Sequence, residues 1–238
     1  MPIPPKIMEE ADRNLRPTAF LSDGFAHNRR KAPLCLCVDA SYSMADTTEY
    51  GESKAALLKK GVSKLIRDLK NDAETGSLID LCILTFNGDG VQEYGEQGFT
   101  PVSSVEEQFD FEPFGSSPLF TAANTALDML LRQIELYRKN RVVSDKGWLI
   151  VFSDGQADDG VGGEISFEGL RSRFSDREIQ KKINVMCGCF GYHYDNLEAV
   201  AVRSSIKNML EENNFVGYIQ SLSHSIQVQS RPVADGQS

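Results

Sequence analysis

Short apolar runs at 34–39, 81–86, 148–153 and 184–190 limit what this chain can fold into. Each has strand length, and none has the 10 to 12 residues that a buried helix needs. Between them the apolar residues fall at helical spacing. Over 52–69 these are Leu58, Val62, Leu65, Ile66 and Leu69, with the lysines left on the opposite face. Over 118–138 they are Leu119, Ala123, Ala126, Leu127, Leu130 and Ile134, and Pro118 stands in the first turn, where its missing N–H costs nothing. Continuous apolar strands alternating with amphipathic helices predict an α/β fold: a doubly wound, mostly parallel sheet in three layers, with helices on both faces.

The remaining punctuation fills in the order of elements. Asn71 and Gly76 bracket the end of the first helix, and Asn87-Gly88-Asp89-Gly90 turns into an antiparallel edge strand at 91–94. Residues 99–105 read as irregular, 166–182 as one helix, 196–202 as a short helix, 206–210 as a strand and 214–225 as the last helix. The start mixes prolines and charges with one short helical stretch at 7–15. With no internal repeat, the reading is an N-terminal arm at 1–31, one domain at 32–227 and a C-terminal tail at 228–238.

Chemistry gathers where the strands stop. The first run ends in Asp39-Ala40-Ser41-Tyr42-Ser43, and in an extended turn residues 39, 41 and 43 point to one side. One carboxylate and two hydroxyls would then surround a common point. A hard divalent cation such as magnesium takes about six oxygen ligands, several of them water. Serine and aspartate are also common in turns for backbone reasons, so this motif needs company. Gly115-Ser116-Ser117-Pro118-Leu119 opens the second long helix, and the run at 148–153 stops at Ser153-Asp154-Gly155. Ligands of doubly wound sheets bind beyond the carboxyl ends of the strands, which is where all three motifs fall.

Strand-Asp-x-Ser-x-Ser, then Gly-x-Ser-Pro-Leu before a helix, then strand-Ser-Asp-Gly, resembles the von Willebrand factor type A (vWA) domain from about 34 to 226. The resemblance implies a Rossmann-like fold and a metal-ion-dependent adhesion site. Asp39, Ser41, Ser43, Ser117 and Asp154 would hold Mg2+, or Mn2+ or Ca2+, some directly and some through water. Two positions depart from the family: Tyr42 stands where glycine is usual and Ser117 where threonine is usual. Serine keeps the ligating hydroxyl, whereas Tyr42 sets a ring beside the ion that either shapes a partner's approach or partly covers the site.

Residues 50–69, 80–86, 115–119 and 152–155, with Asp158 and Asp159, are also similar to the bacterial tellurium-resistance TerY-type branch. That resemblance implies a small cytoplasmic stress-response protein working beside a protein kinase and a metal-dependent serine/threonine phosphatase. Two carboxylates and three neutral hydroxyls compensate a divalent ion weakly, so a partner's acidic side chain is expected to complete the sphere. Tyr42, Pro118, Leu119 and the 155–163 loop are expected to ring the open position. Asp158 and Asp159 read either as an acidic collar to that opening or as part of a solvated loop.

The 25 basic and 34 acidic residues give a net charge of −9, which disfavours nucleic acid. There is no apolar stretch near 18 residues and no signal-peptide core, so neither a membrane span nor secretion is expected. The cysteines at 35, 37, 82, 187 and 189 lie inside strands and read as packed free thiols rather than as soft-metal ligands. His27, His193 and His224 form no pattern with them. Two other functions compete with metal-dependent binding. A haloacid-dehalogenase-like phosphoryl-transfer enzyme would also start from a strand-end aspartate, but it wants an acid/base aspartate where Ser41 stands, so no catalysis is expected. The other is a vWA scaffold without a working metal site.

Overall fold

The protein is described by a computed structural model over residues 30–49, 51–95, 98–159, 165–192, 194–202, 206–209 and 214–230. In chain order its strands are β1 (Arg30–Asp39), β2 (Ile79–Asn87), β3 (Gly90–Glu93), β4 (Thr100–Pro101), β5 (Val143–Ser144), β6 (Gly147–Ser153), β7 (Ile183–Cys189) and β8 (Ile206–Asn208). The helices are α1 (Lys54–Asn71), α2 (Ala73–Leu78), α3 (Leu119–Lys139), α4 (Phe167–Ser175), α5 (Arg177–Lys182), α6 (Tyr194–Leu197) and α7 (Asn214–Ser230).

The eight strands form one sheet in the order β3-β2-β1-β6-β7-β8, with β4 against β2 and β5 against β1. Only β3 and β4 run antiparallel to their neighbour. The chain leaves β1 for β2 on one side and later returns to pair β6 on the other, so the topological switch point lies between β1 and β6. This is the doubly wound α/β sheet that the alternation of strands and helices predicts.

Alternation along β1 divides the interior in two. Leu34, Leu36 and Val38 join Ile83, Ile150 and Phe152 beneath α1 and α7, where Leu58, Val62, Leu65, Ile219 and Leu222 pack. Cys35 and Cys37 face the other way, with Cys82, Leu149, Val151, Cys187 and Cys189 beneath α3 and α4. All five cysteines are buried free thiols in this second layer. The α1–α7 contact is close: a Cβ added at Gly61 would stand 2.0 Å from the Phe215 ring.

Several boundaries differ from the sequence reading, each for a local reason. β1 starts at Arg30, inside the stretch read as an arm, because β5 pairs with Arg30 and Lys31. Gly76 does not close the first helix but lies within α2, capped by the Asp72 carboxylate accepting from Thr75 N at 2.8 Å. The single helix expected at 166–182 is two, because Asp176 breaks it and caps α5 through bonds to Glu178 N and Ile179 N. The residues read as irregular at 99–105 hold β4 and a 3-10 turn at Val102–Ser104. The short helix read at 196–202 is α6, which begins at Tyr194 and ends at Leu197, and the last helix continues to Ser230. The helical stretch read at 7–15 and His193 lie outside the described residues. Among the described residues no helix is long and apolar enough to cross a membrane.

Candidate metal centre

Asp39, the last residue of β1, is fully buried at the switch point. Its Oδ1 accepts from Ser41 N at 2.9 Å. Its Oδ2 accepts the Ser153 hydroxyl at 2.6 Å and the Ser117 hydroxyl at 3.2 Å. Ser41 Oγ and Ser43 Oγ stand 3.2 Å apart on the 3-10 turn that follows β1. The structure therefore brings together Asp39, Ser41 and Ser43, which the spacing places on one side, and Ser117, which the vWA resemblance adds. Asp154 follows Ser153 at the end of the neighbouring strand and is buried as well.

Neighbouring loops hold these groups in place by backbone contact. Phe114 N donates to Ala40 O at 2.8 Å and Tyr42 N to Gly115 O at 3.0 Å, which ties the Ser117 loop to the turn after β1. Gly88 and Gly115 cross so closely that a Cβ on Gly115, whose φ is +64°, would lie 2.6 Å from the Gly88 Cα. Ser117 Oγ also lies 2.9 Å from Gln156 O, so its single hydrogen is shared between the Asp39 carboxylate and the loop after β6. Asp154 Oδ1 accepts from Gln156 N at 3.1 Å, and Asn196 of α6 donates to Gly155 O at 2.8 Å.

Asp158 and Asp159 do not form a collar. Asp158 accepts from Ser117 N at 2.6 Å, while Asp159 takes Phe120 N at 3.1 Å and Thr121 N at 2.7 Å. Asp159 thus satisfies free N–H groups in the first turn of α3, a favourable place for negative charge, while Asp158 holds the residue just before the N-cap Pro118. The expected rim is also partly redrawn. Leu119 is buried in the core, whereas Tyr42 is 71% exposed, Phe114 55% and Tyr192 72%. These rings follow β1, precede the Ser117 loop and follow β7.

Two functional contacts escaped the motif reading. Ser153 makes the shortest bond to Asp39, and its only signal was its place in Ser-Asp-Gly. Lys54, the first residue of α1, donates from Nζ to Asp154 Oδ2 at 3.1 Å and to Ser43 O at 3.2 Å, and reaches Asp46 Oδ2 at 3.4 Å. A lysine beginning an amphipathic helix gave no hint of this.

The site's electrostatics follow from burial. Loss of water pushes the Asp39 carboxyl up to about 6; the Ser153 and Ser41 hydrogen bonds oppose the shift, and the Asp154 charge adds to it. The donors around Asp39 are neutral, so the carboxylate charge is stabilised by dipoles alone. Two buried carboxylates with three serine hydroxyls make an all-oxygen set of the kind a hard cation prefers. Among the described residues no group of three or more His, Cys, Asp or Glu is placed to hold a metal, so such a site would draw on hydroxyls and water.

The fold is that of the vWA class, a mostly parallel sheet flanked by helices. The vWA domain of SpRpn10 matches it with a TM-score of 0.51 at 12% identity, over 86% of this chain and 100% of that one. The vWF domain of the type V pili tip protein Mfa5 from Porphyromonas gingivalis matches with a TM-score of 0.58 at 7% identity, over 87% of this chain and 99% of that one. The PilB minor pilin of Streptococcus sanguinis matches with a TM-score of 0.58 at 13% identity, over 87% of this chain, which spans only 63% of the pilin. No protein-family model matches the sequence, and no curated protein does. At these identities the likeness is one of fold.

Proposed function

We propose that this chain is a protein-interaction module whose binding depends on a divalent cation held by Asp39, Ser41, Ser43, Ser117 and Asp154. The observation that carries the reading is the meeting of Asp39, Ser41, Ser43 and Ser117 at the switch point, from loops that bond to one another through the backbone, with buried Asp154 just past the end of the neighbouring strand. Magnesium is the favoured ion and manganese or calcium the alternatives, because every donor is oxygen. A cation bound there would supply a point of positive charge for a partner's carboxylate. Tyr42, Phe114 and Tyr192 add apolar area around that fixed polar contact, which suits a protein surface better than a small metabolite.

The sequence likeness to the TerY-type branch extends the proposal to a cytoplasmic bacterial stress or tellurium-resistance system, with a protein kinase and a metal-dependent phosphatase as partners. Binding rather than catalysis is the proposed role. Position 41 carries a hydroxyl where phosphoryl transfer from Asp39 would need a proton-transferring acid.

Thermal melts with and without magnesium test the site, since binding to the native state alone adds about 2.7 kcal/mol at a hundredfold excess over Kd. The shift should vanish in Asp39→Ala and in Asp154→Asn; an unchanged shift in either removes the assignment. Selection of peptides against the immobilised chain tests recognition. Sequences recovered in manganese should carry Asp or Glu and be lost in chelator, and equal recovery in both leaves only a metal-independent scaffold.

A further inference from the structure

Among the described residues Lys54 is the one cation recorded against a carboxylate of this centre, that of Asp154, and its position runs against local helix physics. It opens α1, where the N–H ends of the helix repel positive charge, and no acidic residue lies in that turn to offset the cost. Ser53 Oγ accepts Ala56 N at 3.1 Å, so the helix is capped without help from Lys54. The preceding loop nevertheless fixes the lysine firmly. Lys54 N donates to Asp46 O at 3.0 Å, Thr48 N to Glu52 O at 2.8 Å and Gly51 N to Thr48 O at 3.0 Å, with a bridge between Thr47 and Ser53. The side chain is largely buried, and its ammonium rests on Asp154 Oδ2, on Ser43 O and more loosely on Asp46 Oδ2.

Two of these partners belong to residues assigned above to the ion: the Asp154 carboxylate is a ligand itself, and Ser43 O is the carbonyl of another. A local conflict of this kind, held in place by its surroundings, is expected at functional positions. We propose that Lys54 is a built-in counter-ion of this centre, one that neutralises Asp154 when no metal is bound and competes with a divalent cation for it. The inference rests on the proposed metal site and adds its regulation: affinity is set low, so that occupancy follows the free cation concentration or needs a partner's carboxylate to draw the ion in. Loading then requires the Nζ–Asp154 bond to be given up, after which the ammonium keeps Ser43 O and Asp46.

Isothermal titration with manganese chloride on the full chain, with melts of the metal-free protein, tests this. Lys54→Met keeps the aliphatic stem and removes the charge. It should bind manganese roughly tenfold to a hundredfold more tightly than the parent, the typical worth of one hydrogen bond to a charged group. Its metal-free form should melt at a lower temperature, because Asp154 is left buried and unpaired. Lys60→Met, an exposed lysine of the same helix paired with Glu52, should change affinity less than twofold. If the parent binds manganese and Lys54→Met binds equally or more weakly, the counter-ion role is overturned while the metal site stands. If Lys60→Met tightens binding as much as Lys54→Met, the effect is general charge and the inference is likewise overturned. If neither the parent nor Lys54→Met binds, both readings fall together.

Discussion

At the scale of single residues, Gly191 shows how tightly the centre is built. A Cβ there would lie 2.3 Å from the Asp154 carbonyl oxygen, a backbone atom that cannot swing aside. Gly191→Ala should therefore cost about 1–3 kcal/mol, as overpacked interiors do. Gly217 offers the contrast, standing inside α7 with nothing within 4 Å of an added Cβ. Gly217→Ala should be neutral or stabilise by up to about 1 kcal/mol through helix propensity. Urea unfolding followed by the fluorescence of the one tryptophan, buried Trp148, measures both. A Gly191→Ala midpoint equal to the parent's would mean that the loop after β7 gives way. The sequence made Asp39, Ser41 and Ser43 legible because their spacing maps directly onto one side of a turn, and Ser117 through the resemblance of its Gly-x-Ser-Pro-Leu helix entrance to the vWA motif. It could not show Lys54, whose nearest carboxylate partner in the core lies 100 positions away, nor distinguish Ser153 from any serine ending a strand.

Among the elements, α3 depends on acceptors from a distant loop. Pro118 at its N-cap supplies no side-chain acceptor, so Asp159 performs the capping from 39 and 38 positions further along the chain. Asp159→Ala should destabilise the chain by about 0.5–2 kcal/mol, the usual cost of a lost cap. The same urea titration checks it, and a loss below experimental error would show that water replaces the carboxylate. Such a cap explains why Asp158 and Asp159 read from sequence as a collar or a solvated loop, since their partners are backbone groups that no residue pattern records. The long helices and central strands were legible because their periods run over many residues. β4 and β5 were not, being two residues each and defined only by their neighbours. The split at Asp176 was visible in principle, as an aspartate that can cap a new helix.

For the whole molecule, the alternation of strands and helices revealed the layers, yet the crossing from β2 back to β6 came only with the structure. The two-sided interior has a chemical consequence in its cysteine-lined layer. Burial pushes the Cys187 thiol up to about 12 and Cys189 to about 11, so both stay protonated near neutral pH. A thiol-reactive dye at pH 8 should label none of the five cysteines in the folded chain and all five in denaturant. Rapid labelling of the native protein would mean that this layer opens easily. The sheet also ends in short strands, four residues in β3 and three in β8, with Gln92, Glu93 and Lys207 exposed along them. Among the described residues neither offers the long unpaired ladder on which a foreign strand could zip. A ligand peptide for this chain must then be read through its side chains, so methylating its backbone nitrogens should leave recognition largely intact.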